Sequence, residues 1–367
     1  MIKFYKKICI ASSLASMFIV SVFAGNPDRA GQASLYQLVI NPWGRSSGMG
    51  GANSACVSGI ESQYLNVAGL AHVKSSEFMF TQTNWLSGTG IGISSFGFGQ
   101  RVGSSNVIGV SIMSMNFGTI NKTTAASPEG GLGTYNPKTF NMNLSYAKEF
   151  SNSIYGGINV KVINENLDNL SAKGVAIDAG IQYQTTINRE KNKDRKNIKF
   201  GISLKNVGTP MSFNGDGMSI TAVIQNDTKT PLTVSQRSAK SDLPSLVNIG
   251  VAYDYYFSTE NNDHVLTLAG NFLSNSFTKD NFQFGAQYGY KKMFIVRTGY
   301  FLESKKGGTS SLVGANTNAL TGLSAGFTIE VPSSKEEEKA SRFGVDYSYR
   351  FTNPFGGSHS IGLRLAF

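Results

Sequence analysis

From Glu77 to the C-terminus the sequence keeps returning to strict alternation, one residue apolar and the next small or polar. In one stretch Phe282, Phe284, Ala286, Tyr288 and Tyr290 alternate with Asn281, Gln283, Gly285, Gln287 and Gly289. Val175, Ile177, Ala179, Ile181 and Tyr183 do the same against Ala176, Asp178, Gly180, Gln182 and Gln184, as do Phe343, Val345, Tyr347, Tyr349 and Phe351 against their neighbours. A period of two is the period of a β-strand, so each stretch has one apolar face and one polar face. The stretches run about 9–11 residues, the length a tilted strand needs to cross a bilayer. Strands of soluble proteins are nearer 5–6 residues. The polar faces carry Gly, Ser, Asn and Gln with isolated charges, which suits a lumen better than a water-facing surface. The expected fold is therefore all-β: a transmembrane antiparallel β-barrel.

Fourteen such stretches begin near Glu77, Gly90, Asn106, Thr139, Ile154, Gly174, Asn197, Leu243, His264, Asp280, Met293, Leu320, Ser341 and Ser358. An even count puts both ends of the barrel on the periplasmic side. If the first strand runs outward, the long connections 117–138, 206–242 and 302–319 all fall outside. The inner ones are mostly short, apart from the charged segments 186–196 and 330–340. Short inner turns and long outer loops are the usual asymmetry of outer-membrane barrels. Ile361, Leu363, Leu365 and the terminal Phe367 share one face of the last stretch, the form of the signal read by the barrel insertion machinery.

Residues 1–24 differ from the rest. Lys3, Lys6 and Lys7 precede an apolar core from Ile8 to Phe23, and Val22 and Ala24 stand at the −3 and −1 positions of a cleavage site before Gly25. This is the pattern of a secretory signal peptide. Its removal takes three lysines and no acid from a formal net charge of +10 and leaves Cys56 as the sole cysteine, so no intramolecular disulfide is expected. No later stretch is long and apolar enough for a transmembrane helix. The 41 glycines, 24 phenylalanines and 15 tyrosines beside only 9 prolines suit a bending wall with aromatic girdles. The location expected is the outer membrane of a Gram-negative bacterium.

Residues 25–76 lack long alternation and precede the barrel proper, 77–367. They contain Arg45-Ser46-Ser47-Gly48-Met49-Gly50-Gly51-Ala52 and then Tyr64-Leu65-Asn66-Val67-Ala68-Gly69-Leu70-Ala71. Glycines at 48, 50, 51 and 69 permit positive φ or close backbone approach, as a segment threaded into a lumen needs. A flexible periplasmic leader is the plainer alternative. The arrangement resembles the PorV/PorQ family of outer-membrane barrels, relatives of FadL channels. Lys205-Asn206-Val207-Gly208, Leu243-Pro244-Ser245, Arg297-Thr298-Gly299-Tyr300 and Val345-Asp346-Tyr347 extend the likeness, while Val67 stands where the family usually has proline. The resemblance implies an N-terminal hatch built on Gly48, Met49, Gly50, Gly51, Asn66, Gly69 and Leu70. It also implies an accessory role in type IX protein secretion, with a large translocon barrel and secreted cargo as partners. The alternative is a FadL-like channel for hydrophobic small molecules, its pocket lined by inward aromatics such as Tyr256 and Phe301.

No catalytic constellation stands out. His72, His264 and His359 are not at metal-ligand spacing, and one cysteine does not complete a zinc site. Ser358-His359-Ser360 lacks a third group placed to orient the histidine. No enzyme activity and no cofactor are expected. Lys161, Asp178, Lys199, Lys205, Asp254, Arg297, Asp346, Arg350 and Arg364 all fall on polar phases and are expected to face the lumen, with Asp346 and Arg364 as a candidate pair. Such groups anchor a plug or set pore selectivity, and plug anchoring is the favoured role. The basic run 189–199 reads as a solvated inner turn without the interleaved aromatics that nucleic-acid binding requires, and the acidic KEEEK segment at 335–339 as another. Lipid and the insertion machinery are the other expected partners.

Overall fold

Fourteen antiparallel strands close into one ring, each hydrogen-bonded to the next and the last to the first. The computed structural model describes residues 25–188, 192, 195–223, 231–259, 261–304, 318–334, 341–352 and 355–367. The expected leader, the KEEEK segment, much of the third outer loop and part of the basic run lie outside these residues. The strands are β1 Ser76–Trp85, β2 Ile91–Val102, β3 Asn106–Asn116, β4 Lys138–Ser151, β5 Ile154–Leu167, β6 Leu170–Thr185 and β7 Ile198–Gly208. They continue with β8 Leu246–Tyr256, β9 His264–Asn275, β10 Asn281–Tyr290, β11 Phe294–Glu303, β12 Gly322–Pro332, β13 Arg342–Arg350 and β14 Ser358–Ala366. Closure sets Glu77 opposite Ala366 and Asn84 opposite His359, and the Phe367 amide donates to the Ser76 carbonyl at 2.8 Å. Among the described residues no helix is long and apolar enough to cross a membrane.

The wall is apolar outside and polar inside. Along β5 the outward Ile158, Val160 and Val162 are 53%, 40% and 52% exposed, while the intervening Asn159 and Lys161 are 0% and 3% exposed. A water-soluble sheet would bury the isoleucine and valines and expose the lysine. Only a hydrocarbon exterior makes this arrangement favourable, because each outward side chain then meets apolar surroundings. Tyr183, Phe200, Tyr255, Phe257, Tyr288 and Tyr290 cluster in contacting rings at the rim that holds Ser76 and Phe367. Tyr347, Tyr349, Phe351 and His359 do so at the opposite rim. The connections at the first rim include those of 103–105, 152–153 and 291–293, and those at the second include 117–137 and 209–245. The first rim is therefore the periplasmic one.

Most strands begin within a residue or two of the sequence expectation. The sixth begins at Leu170 rather than Gly174, because Asp168 takes a φ of +54° and turns the chain back at once from β5. The eighth begins at Leu246, two residues after Pro244, which has no amide hydrogen for the ladder. Glu330, read from sequence as the start of an inner loop, lies inside β12 and is 4% exposed. Two irregularities interrupt the described wall: the β4–β5 register shifts between Glu149 and Ser151, and the β6–β7 register shifts between Ile177 and Ala179, with Asn206 at a φ of +58° across from the second.

Residues 25–75 run through the ring. Asn26 donates to the Asn275 carbonyl at the outer rim. Leu35 and Leu38 pack on Ile163, Met211 and Leu243. Ile60, Leu70 and Val73 pack on Met79 and Val107 toward the inner rim, next to the start of β1. The segment thus enters from outside and leaves at the periplasmic end.

Val160→Arg, near the middle of β5 on the outer face, should lower stability by about 2–4 kcal/mol, the cost of a cation at the bilayer midplane. Urea titration of the protein folded in vesicles measures this.

Candidate functional site: the plug and its charged seam

The plug is made of short turns, each fixed by a particular side chain. Asn66 starts the 3-10 turn Val67–His72, its Oδ1 accepting the Ala68 amide at 3.2 Å. Its Nδ2 donates to the Ser54 carbonyl within the plug at 3.2 Å and to the Ile181 carbonyl on β6 at 3.1 Å. One amide therefore caps a turn, folds the plug on itself and ties it to the wall. Gly69 lies against the Val57 carbonyl, where a Cβ would come within 2.2 Å. Leu70 is fully buried in the lower apolar cluster. Gly50 and Gly51 have φ of +64° and +79°. Met49, 2% exposed, lies where its carbonyl carbon would be 2.2 Å from a Cβ on Gly299 of β11. Gly48 meets the Cα of Gly326 on β12 in the same way, and its carbonyl accepts from Ser324 at 3.2 Å. Glycines on both surfaces let the plug backbone lie directly on the wall.

Below this contact lies a seam of buried charge. Arg45 of the plug approaches Glu330 of β12 at 3.5 Å, Asp346 of β13 at 3.8 Å and Glu61 of the plug at 3.9 Å. Glu61 also accepts the amide and hydroxyl of Ser46, at 3.1 and 2.8 Å. Arg364 of β14 grips Glu77 of β1 with two nitrogens, each at 3.1 Å, and reaches Glu330 at 2.9 Å. Glu77 in turn accepts the plug's Ile60 amide at 3.1 Å. The fork on Glu77 also bridges the closing strands of the barrel. Arg297 donates to Gln287 at 2.7 Å and to Thr328, whose hydroxyl donates to Asp346. Arg350 reaches the Ser47 carbonyl at 3.4 Å.

The remaining lumen charges form two further sets. Lys161 pairs with Asp178 at 2.7 Å and donates to Asn206 at 2.6 Å, and the Asn206 amide bonds the second oxygen of Asp178. That carboxylate fills the gap in the ladder where β6 and β7 slip. Lys199 pairs with Asp254 at 2.7 Å nearer the inner rim. Lys205 lies over the Tyr64 ring of the plug, 3.7 Å from its centroid. All nine lie on the inner face, seven of them buried and Lys199 and Arg364 half-buried beside their partners, but the suggested Asp346–Arg364 pair does not form. Asp346 turns to Arg45 and Thr328, while Arg364 takes Glu77 and Glu330. Sequence reasoning had missed Arg45, Glu61, Glu77 and Glu330 as members of the seam. The phase of β1, which places Glu77 with Met79 and Thr81, held the signal for one of them.

Two enclosed cavities between plug and wall measure about 20 and 30 Å³, one lined by Trp43, Gln63, Tyr64 and Lys161, the other by Tyr64, Lys205, Phe301 and Arg350. Each has room for a water or two. Tyr256 lies at the inner rim, 5.0 Å from Arg195, and takes no part in either cavity. Cys56 packs on the small core of Met49, Ala52, Ala55, Ala252 and Ala269, and burial pushes its thiol up to about 12. His72 lies between Gln182 and Gln184 at 3.3 and 3.2 Å, and burial lowers it to about 4, so it is neutral at physiological pH. At the outer rim Ser358 accepts the Leu86 amide, Ser360 bonds Thr83 and His359 bonds Tyr347. Phe367 ends the ring edge-on to Phe78.

Arg45→Met leaves three carboxylates short of a partner, a loss of about 3–5 kcal/mol for a buried pair broken on one side. The wall does not depend on this residue. The expected result is a barrel that still migrates as folded on unheated gels while Cys56 reacts roughly a hundredfold faster with maleimide, as the plug loosens locally. Gly299→Leu, which drives a side chain into the Met49–Gly50 backbone, should give the same signature from an uncharged cause; maleimide kinetics on both variants check it.

The fold has solved counterparts. The Pseudomonas putida toluene transporter TodX superposes with a TM-score of 0.50 at 10% identity, covering 89% of this chain and 97% of its own. A deletion mutant of the TodX monoaromatic hydrocarbon channel gives 0.50 at 12%, covering 88% and 97%. A Pseudomonas aeruginosa FadL homologue gives 0.49 at 10%, covering 89% and 96%. At such identities the likeness is one of fold. No curated protein matches the chain. The profile of the family described as type IX secretion system membrane protein PorP/SprF matches residues 129–355, more than half of the sequence. The type IX association agrees with the resemblance read from sequence, under the PorP/SprF name and not PorV/PorQ. This chain is an outer-membrane β-barrel and belongs to the PorP/SprF family of type IX secretion system membrane proteins.

Proposed function

We propose that the protein serves type IX secretion as a plugged accessory barrel, binding a translocon barrel or secreted cargo at its outer loops and rim, the role PorV/PorQ-type barrels suggest. The observation that carries this reading is the filled lumen. Plug and wall meet backbone to backbone, a charged seam fixes their register, and each of the two enclosed cavities has room for a water or two. A barrel closed in this way offers its surface to partners. Part of that surface is suited to them. In the outer loop 209–245 the strands Ser219–Val223 and Pro231–Ser235 form a hairpin standing clear of the wall. Ile220, Ala222, Leu232 and Val234 share one of its faces, with Ile220 and Leu232 50% and 48% exposed. An apolar face held in water is a common mark of an interaction site. The reading assigns the barrel no catalysis; both serine hydroxyls near His359 are already engaged elsewhere.

A second reading, a channel for hydrophobic small molecules, draws on the fold shared with the toluene transporter and on Phe301 at one cavity. It requires the plug to move, since cavities that hold benzene are nearer 150 Å³.

A tag in the outer loop 209–245, gentle extraction and mass spectrometry of co-purifying proteins separate the two. Stoichiometric recovery of a larger translocon barrel or of secreted cargo is expected, and Ile220→Asp with Leu232→Asp should reduce it at least about tenfold, as loss of a buried apolar anchor does. Recovery of the barrel alone with bound lipid would favour the channel.

A further inference from the structure

The larger cavity between plug and wall is bordered by cations and by donors, with no acid in its lining. Lys205 of β7 and Arg350 of β13 both face it, and they are only 3% and 5% exposed. The Lys205 ammonium rests on the Tyr64 ring, 3.7 Å from the centroid. One aromatic face does not satisfy three ammonium hydrogens. Arg350 has the Ser47 carbonyl, at a long 3.4 Å. Among the described residues no carboxylate pairs with either cation. Asp178, on the neighbouring β6, is engaged by Lys161 and by the Asn206 amide, each at 2.7 Å.

The neutral groups of the lining share this bias. Asn41 uses its Oδ1 to accept the Trp43 amide at 3.0 Å, and its buried Nδ2 has no acceptor among the described residues. The side-chain oxygens of Asn248 and Gln283 are already engaged by Asn271, at 3.2 and 2.7 Å.

A buried cation without a counter-charge is costly, and two beside one cavity also repel each other. Water lowers that cost in part, whereas an anion removes it. The cavity measures about 30 Å³, room for a water or two and hence for one ion little larger than water. Sulfate, phosphate and a carboxylate with its carbon chain are too large; a monatomic halide is not. We infer that this cavity is a binding site for a single chloride ion, held between Lys205 and Arg350, which ties the Tyr64 stretch of the plug to β7 and β13. The seam grips the plug from β1 and from β12 to β14, and the ion extends that hold to the other side of the ring. The site is independent of what the barrel binds at its surface.

The test uses the full chain, purified in detergent and dialysed into sodium gluconate, whose anion is too large for the cavity. Sodium chloride then replaces gluconate at constant ionic strength, so that screening of the seam stays fixed. The readout is the rate at which Cys56, packed on Met49 and Ala52, reacts with maleimide. An ion that binds only the closed plug suppresses local opening in proportion to its occupancy, by about tenfold at ten times its Kd. The rate is therefore expected to fall saturably with chloride, and sodium bromide should act in the same way. In Lys205→Met and in Arg350→Met, each migrating as a folded barrel on unheated gels, the rate should be equal in chloride and gluconate, whatever its absolute value. A wild-type rate that ignores chloride overturns the site, as does a chloride response kept in full by both variants. If a variant does not fold, wild-type crystals grown in sodium bromide decide the matter. An anomalous peak beside the Lys205 Nζ upholds the site, and a cavity without one overturns it.

Discussion

A strand in hydrocarbon has no water to satisfy its peptide groups, and everything else in this molecule follows from that requirement. Fourteen strands satisfy it only as a ring, so β1 must find β14 across almost the whole chain. The ring turns the usual order of burial outward: valine and isoleucine face lipid, and lysine, aspartate and asparagine face in. A ring of this size encloses a lumen that side chains from the wall alone do not fill. The plug fills it, and the polar character of the wall's inner face decides how the plug is held.

That attachment is electrostatic and close-packed at once. Buried charges add little net stability over well-packed apolar groups, but a charge left without its partner is costly. The seam of Arg45, Glu61, Glu330, Asp346, Arg364 and Glu77 therefore acts chiefly on register: a plug shifted by one residue strands several carboxylates. The glycine contacts at 48, 50, 299 and 326 supply the complementary steric limit. Together they set the register of the plug against the wall, the arrangement from which the proposed surface-binding role is argued.

The wall was legible in the sequence because its rule is local. Phase along β5 alone sorts Val160 from Lys161, and the same rule located the other strands and the inward charges. It failed where a turn was tighter than expected, at Asp168, and where a strand outlasted its apolar pattern, at Glu330. The plug was legible only in part. Asn66 and Gly69 carry their reasons in adjacent residues, a turn to cap and a carbonyl to approach. Arg45 does not, because its partners are no neighbours in sequence: Glu61 lies in another turn of the plug, and Glu330 and Asp346 lie on β12 and β13. Periodicity also suggested that Asp346 and Arg364, on neighbouring strands, would pair; it held no information that the plug would supply a competitor for one and β1 a better partner for the other.

The passage of residues 25–75 through the lumen has a kinetic side. Ser47 meets Arg350 and Gly48 meets Ser324, contacts that span 303 and 276 residues of chain. Loops of that length close slowly, so these contacts form late, after the local hairpins of the wall. Yet a finished ring offers a folded segment no side entrance. The segment must already lie among the strands when β14 reaches β1, and the wall is wound about it as about a mandrel. The dimensions of the closed barrel are then recorded partly in the bulk of a segment that never touches the membrane.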